Sequence, residues 1–398
     1  MEEVYLTLDI IKNNPGFSID IGCSVGKLVY RPKSLYKNGE IISEDKIRKK
    51  KFGPLYLRLF ERGDIDSLVK IIREECDLTV KPKQQVHVAG LGSSAAKQRL
   101  EEAFDINIKV EPEYDTGVDA ISFIYYNLGP EEIFLPEPPG AREEAVRRFK
   151  LFQGWIKGGQ GLSRVKWQME QDEEESLSWQ PDSKSELFPY LLVICGSLFP
   201  MTKVDINGSL TNINSIFYGG RFIMGLLATI TGERDFDKLI KMAEESDGRT
   251  TNLYGSDLMK MDQKPDPELE RRQKEDETDI YNVMKGDLLV FPFGKPATSE
   301  GEVKKGDMVH SILETAIINL ALTVQMTALA NGCKKVLFAG NFMSASLLRE
   351  WLAREMIRKN LESPKENRLE FHFIRHGGHI SNIGAYLAGA RSLLKGPR

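Results

Sequence analysis

Phe17-Ser18-Ile19-Asp20-Ile21-Gly22-Cys23-Ser24-Val25-Gly26-Lys27-Leu28-Val29-Tyr30 is the stretch that decides the fold. Phe17, Ile19 and Ile21 alternate with Ser18 and Asp20, the period-two pattern of a strand. Small residues follow, and Lys27 to Tyr30 reads as a second strand. The spacing predicts a hairpin with Asp20 at the end of its first strand. Two readings fit the turn. In one, Gly22, Ser24 and Gly26 let backbone N–H groups approach an anion, and Lys27 adds a positive charge. Asp20 then orients a magnesium-bound phosphate or a nucleophile. In the other, the segment is an ordinary hairpin with a turn-stabilising aspartate. No helix follows, so it is neither a Walker A loop nor a dinucleotide fingerprint, both of which lead from strand into helix.

The bulk properties narrow the class. With 398 residues the chain has room for two or more domains. A hydrophobic content of 41% and a charged content of 28% are those of a soluble globular protein. The net charge of −4 gives no electrostatic reason to expect nucleic acid. The four cysteines, Cys23, Cys76, Cys195 and Cys333, have neither disulfide-framework nor zinc spacing. That fits a reducing, cytoplasmic compartment. Met1-Glu2-Glu3-Val4 lacks the basic region and apolar run of a secretory signal. The apolar stretch from His310 to Ala330 carries Glu314, Asn319 and Gln325, and Leu313, Ile317, Leu320 and Val324 recur at helical spacing. It reads as a buried helix, not a membrane span.

Two halves emerge along the chain. Residues 1–129 form an N-terminal lobe, with strands expected at 15–30, Tyr56–Phe60 and Gln85–Gly90. Helices are expected over Asp66–Ile72, after Gly90–Ala95, and over Asp115–Tyr126. Residues 130–186 form an irregular, charged insertion containing Pro136-Glu137-Pro138-Pro139-Gly140 and the acidic run Glu170–Glu175. Residues 187–398 form a C-terminal lobe. It opens on the buried strand Pro189–Ile194, and Met201–Ile206 and Ile213–Phe217 extend a sheet. Helices are expected over Arg221–Thr231, 310–330, Ser344–Asn360 and Ile383–Leu394, and strands over Lys335–Ala339 and Phe371–Ile374. Glycine-containing turns at 22–26, 90–95, 196–198, 219–220 and 340–341 all follow strands, where α/β folds gather ligands. Two facing lobes of this kind would bind a nucleotide in the cleft between them.

These segments resemble the type II, eukaryotic-type pantothenate kinases over most of the chain. The resemblance rests on Asp20-Ile21-Gly22 with Lys27-Leu28, Pro189–Val193 with Gly196-Ser197, and Gly219-Gly220 with Gly225-Leu226. Phe293-Gly294-Lys295, Phe338–Phe342, and Arg375-His376-Gly377-Gly378 with Ile383-Gly384-Ala385 complete it. Several segments look closest to the divergent kinase-like domain of the fourth vertebrate paralogue. The resemblance implies an α/β, two-lobed acetate kinase/sugar kinase/Hsp70/actin-like (ribonuclease H-like) fold. It implies ATP with Mg2+ as cofactors where nucleotide binding is retained, and pantothenate or an acyl-CoA as small-molecule partner. Glu113 falls on the family's general base, and a positioned carboxylate near an attacking hydroxyl is what phosphoryl transfer requires. Without the family, Glu113 reads equally as an acidic residue stabilising a helix start. Asp20, Gly22, Ser24 and Lys27 fall on the first phosphate motif, and Gly196 and Ser197 on the second. Gly219 and Gly220 fall on the glycine-rich turn, and Gly340 and Asn341 on the adenosine side. Ser197, Asn212 and Arg221 fall on substrate-contacting positions. No direct protein ligand to a metal is expected; Asp20 would orient magnesium through water. The family dimerises around a helix like 310–330, so a homodimer or a heterodimer with a paralogue is expected.

The departures bear on activity. Cys23 replaces a glycine, Leu91 and Ser93 stand in the turn near 90–95, and Leu198-Phe199-Pro200 follows Gly196-Ser197 where small donors are usual. Asn212 replaces an arginine, and Phe222 a threonine. His-Glu-Gly has become His376-Gly377-Gly378. Altered phosphate turns remove oriented donors, each of which contributes about 2.7–4 kcal/mol in a transition state. Three readings follow: a weak or lost pantothenate kinase, a pseudokinase acting through acyl-CoA, nucleotide or a paralogue, or an altered pocket that phosphorylates another hydroxyl or carries out another reaction, with Phe199, Phe217 and Phe222 either making the cleft more apolar or lying in the core. His376 and His379 show no nearby Cys, Asp or Glu in sequence to make a metal site.

Overall fold

The computed structural model describes residues 2–22, 25–43, 46–47, 51–79, 81–91, 94–128, 132–135, 187–257, 289–298 and 301–390. Cys23, Ser24, Gly92, Ser93, the body of the insertion at 136–186 and the end of the last expected helix lie outside them.

The hairpin is there: β2 (Phe17–Ile21) pairs antiparallel with β3 (Val25–Tyr30). Every residue of β2 is buried, polar Ser18 and Asp20 included, because layers cover both faces. Ser18 Oγ is satisfied by donating to the His87 carbonyl at 2.9 Å. β4 (Phe52–Glu61) continues the meander, and β1 (Glu2–Thr7), unforeseen in the sequence, adds an antiparallel edge to it. On the other side of β2 runs an interrupted strand, β5 (Gln84–Val88) and β6 (Gly90–Leu91). β6 is parallel to β2, and β5 is parallel to β7 (Ile106–Val110). Helices α1 (Ile65–Glu75) and α2 (Ser94–Phe104) belong to this half. Asp64 caps α1, its carboxylate accepting the Ser67 N–H at 2.9 Å.

The second half repeats the plan. β9 (Tyr190–Ile194), β10 (Phe199–Val204) and β11 (Leu210–Ile216) form an antiparallel meander. β12 (Lys335–Ala339) and β13 (Glu370–Ile374) add on in parallel beyond β9. A short strand, β8 (Ile133–Phe134), closes that edge against β13. β8 lies within the stretch expected to be irregular. In both sheets the first strand of the meander sits beside the parallel strand. This duplicated order is the two-lobed α/β architecture of the acetate kinase/sugar kinase/Hsp70/actin fold.

Alternation along β9 shows how the layers divide. Leu191 and Val193 point into a core with α4 (Gly220–Thr231), α5 (Phe236–Glu244), α6 (Lys305–Ala330) and α7 (Ser346–Glu362). Tyr190 and Leu192 point the other way, into a core with α3 (Glu113–Asn127), α8 (Ile380–Ala388) and β1. α3 and α8 therefore fill the space between the two sheets. α8, last in sequence, packs on α3, β2 and β5 of the first half. A Cβ on Gly384 would lie 1.7 Å from the Thr116 carbonyl oxygen, so only glycine permits that helix contact. The long helix extends from Lys305 to Ala330 and buries Leu313, Ile317, Leu320 and Val324 within the chain's own core. It is long and apolar enough to cross a membrane by composition, yet just over half of its most apolar window is buried by the chain itself.

Candidate active site

Asp20 and Lys27 face each other across the hairpin, paired in register. Lys27 Nζ lies 2.9 Å from Asp20 Oδ2, and Asp20 is 1% exposed. The parallel neighbour of Asp20 is Gly90. A Cβ there would lie 2.6 Å from Asp20 Oδ1, so glycine makes room for the carboxylate. The Gly22 N–H donates to the Val25 carbonyl at 3.2 Å and closes the turn on itself. Ser24 is outside the described residues.

Glu113 begins α3, directly after Pro112. Partial desolvation pushes its carboxyl pKa up, and the negative charge of Asp20 pushes it further, while Lys27 opposes the rise. The Asp20–Lys27 hairpin and the sequence-distant Glu113 thus share one electrostatic neighbourhood. A carboxylate with a raised pKa is a stronger base than a free one and suits proton abstraction from a hydroxyl. Behind it, buried Glu111 anchors the end of β7. Its Oε1 lies 2.6 Å from His87 Nδ1 and 2.9 Å from Lys109 Nζ. His87 and Glu111 carry no sequence signal, because the pair forms only when β5 and β7 align in parallel.

Across the molecule, Gly196, Ser197, Gly219, Gly220, Gly340 and Asn341 converge on one knot of turns. The Gly196 N–H donates to the Leu198 carbonyl at 3.1 Å. The Gly220 N–H donates to the Gly196 carbonyl at 2.9 Å, and the Arg221 N–H to the Ser197 carbonyl at 3.2 Å. Cys195 bridges to the third turn: its N–H donates to Ala339 O at 2.7 Å, and its carbonyl accepts the Phe342 N–H at 2.9 Å. Gly340 has φ +101°, and a Cβ would lie 2.3 Å from Cys195 O, so this turn requires glycine. Several N–H groups expected to face a phosphate are thus bonded inside the protein.

Asn212 is not brought into this knot by any described contact; it lies exposed in the edge strand β11, opposite Thr202. The Arg221 backbone is part of the knot, and its residue is exposed at the start of α4. Of the cleft and core readings of the three phenylalanines, the core reading holds for one of them. Phe199 is fully buried and packs on Phe342, ring centroids 5.2 Å apart. The reason is strand alternation: Phe199 and Met201 point into the core while Pro200 does not. Phe217 and Phe222 are exposed, with Leu198 and Tyr218 beside them in the same turns.

The turn after β13 joins the two regions. Gly378 lies against Asn341, and a Cβ there would be 3.2 Å from its Oδ1. His379 is buried, and desolvation, then the charge of Lys27, lower its pKa to about 4. His376 meets Glu2 Oε2 at 2.9 Å and Glu132 Oε2 at 3.3 Å. Both histidines therefore have charged neighbours, which come from segments remote in sequence.

The chain is similar to several known proteins. Mouse 4'-phosphopantetheine phosphatase is 23% identical over 98% of this chain, which spans 42% of the mouse protein. Arabidopsis thaliana pantothenate kinase 1 is 25% identical over 51% of this chain and 49% of the plant protein. The chain thus matches less than half the length of either relative. A solved structure of the activator of 2-hydroxyisocaproyl-CoA dehydratase from Clostridium difficile with bound ADPNP aligns over 96% of this chain and 98% of its own, at 14% identity and a TM-score of 0.42. A family model described as Fumble matches residues 16–388. The chain belongs to the Fumble family, the type II pantothenate kinases.

Proposed function

We propose that this chain is a divergent pantothenate kinase-family protein whose ancestral reaction, ATP-dependent phosphorylation of pantothenate in coenzyme A biosynthesis, is weak or lost. The observation that carries this reading is an asymmetry. Asp20, Lys27 and Glu113 remain together, while the N–H groups of Gly196, Gly220 and Arg221 are bonded to carbonyls of the protein. In the reaction, Glu113 would accept the proton of the attacking hydroxyl. Lys27 would hold Asp20 oriented toward the phosphates. The oxygen donors of Asp20 and Glu113 suit a hard cation, and Lys27 already occupies Asp20 Oδ2. Magnesium would then be held through its own waters, supplying charge neutralisation of the phosphates. Among the described residues, the N–H groups of Gly196, Gly220 and Arg221 are therefore not free to follow charge onto a transferring phosphoryl group. One such donor typically contributes 10²–10³ in rate.

The exposed Phe217, Tyr218, Phe222 and Leu198 around the same turns favour a second reading. In it, the protein is a pseudokinase that binds an acyl-CoA or nucleotide and regulates an active paralogue. Leu322 and Met326, exposed one turn apart on α6, are the surface on which a homodimer or such a heterodimer would form.

Calorimetric titration with ATP–magnesium and, separately, with acetyl-CoA tests both readings. Weak or absent ATP binding beside measurable acetyl-CoA binding favours the pseudokinase. ATP binding with pantothenate turnover abolished by Glu113→Ala establishes a working kinase.

A further inference from the structure

His376 stands where the two halves of the molecule meet. It follows β13 of the second sheet, and its ring is buried. Nδ1 lies 2.9 Å from Glu2 Oε2, on β1 at the edge of the first sheet. Nε2 lies 3.3 Å from Glu132 Oε2, immediately before β8 of the second sheet. Glu132 is itself buried, and its carbonyl accepts the Arg375 N–H at 2.9 Å. One imidazole therefore lies between a carboxylate of its own sheet and a carboxylate of the other. The turn it opens, residues 376–379, abuts Asn341 and leads to His379 beside Lys27.

We propose that Glu2, His376 and Glu132 form a proton-operated latch that ties the edge strand of the first sheet to the turn after β13, closed while His376 is an imidazolium and loosened when it loses its proton. Nδ1 is hydrogen-bonded to Glu2 and Nε2 stands within ion-pair distance of Glu132, so only the charged ring, which donates from both nitrogens, attracts both carboxylates at once. Besides the two glutamates, the N-terminal ammonium acts on Glu2, and it also titrates between neutral and alkaline pH. His379, on the same turn, is held neutral by burial, and the charge of Lys27 acts on it. Arg349 of α7 acts on Glu2 and donates to the carbonyls of Met343 and Ser344 at 2.6 Å. Burial opposes protonation of His376, but the hydrogen bonds and charges of the two glutamates outweigh it and raise its pKa. The same contact lowers the pKa of Glu2. The latch is therefore closed above the carboxylate range and opens as pH rises through the raised pKa of His376.

Hydrogen exchange of the full chain, read by mass spectrometry at about pH 6 and about pH 9 and corrected for intrinsic rates, tests this. Protection of the amides of β1 and of residues 375–379 is expected to fall roughly tenfold at the higher pH, while that of α7 stays constant. Glu2→Gln, at an exposed side chain that tolerates substitution, is expected to abolish the pH dependence at those amides. His376→Gln serves as a second variant where it folds, and should show low protection at both pH values. Equal protection of the wild type at both pH values, or a Glu2→Gln variant that follows the wild type, would overturn the latch.

Discussion

The Asp20–Lys27 hairpin and the knot of turns around Cys195 both end strands, and both carry residues proposed to handle phosphate. They are built in opposite ways. In the hairpin, side chains do the work: a buried carboxylate is held by a lysine at 2.9 Å with a second carboxylate nearby. In the knot, backbone does it: carbonyls of Cys195, Gly196 and Ser197 accept N–H groups from the neighbouring turns. The difference teaches that a fold can keep a charged side-chain cluster in one strand-end turn while the amides of another are bonded inward. Packing is satisfied by either arrangement; chemistry is not.

Lys27→Met should have the largest effect on stability. It strands the carboxylate of Asp20, which is 1% exposed, and removing one partner of a buried pair costs about 3–5 kcal/mol. Urea unfolding at neutral pH measures it. The double variant with Asp20→Asn should recover part of the loss, and a loss under about 1 kcal/mol for the single variant would show that water reaches the pair. Gly340→Ala strikes the other region. Its φ of +101° and the nearby Cys195 carbonyl should cost on the order of 3 kcal/mol. A wild-type unfolding midpoint would mean that the knot is not braced by backbone contacts.

Much of both regions was legible in the sequence. Alternation in Phe17–Ile21 and the apolar run at 190–194 located an inner strand of each sheet, because burial on one or both faces writes a local pattern. The glycines at 196, 219, 220 and 340 were legible as turns and do converge. What was not legible depends on pairing between distant segments. β1 finds β4 some fifty residues away, Ile133–Phe134 find β13, and α8 returns to the first half. The inward bonding of Gly196, Gly220 and Arg221 leaves no trace in residue identity, since any residue carries the same N–H. The neighbours of His376 escaped notice for a related reason: Glu2 is 374 positions away.

Between the two regions, His379 gives a smaller and pH-dependent effect. Its folded pKa, about 4, lies below its ordinary value of 6.5, so the unfolded chain takes up the proton first. Stability should therefore fall as pH drops from 6.5 toward 4. Relative to His379→Gln, the wild type should lose roughly 1–2 kcal/mol more between about pH 7 and about pH 5. Identical slopes for the two proteins would mean that burial, with the charge of Lys27, does not hold this histidine neutral. The smallest effect belongs to Leu198→Ser. The Leu198 side chain is 45% exposed, and the knot uses only its backbone, so the change should stay within about 0.5 kcal/mol. A larger loss would move the bracing of the knot from backbone to side chain.

The asymmetry between retained side chains and inward-turned amides is tested most directly by a pantothenate phosphorylation assay with saturating ATP–magnesium, run beside an active type II kinase. The expected result is a rate lower by about 10² or more, with the residue of activity removed by Glu113→Ala. A rate equal to that of the active kinase would contradict it, because the turns would then release their N–H groups to the phosphates on binding.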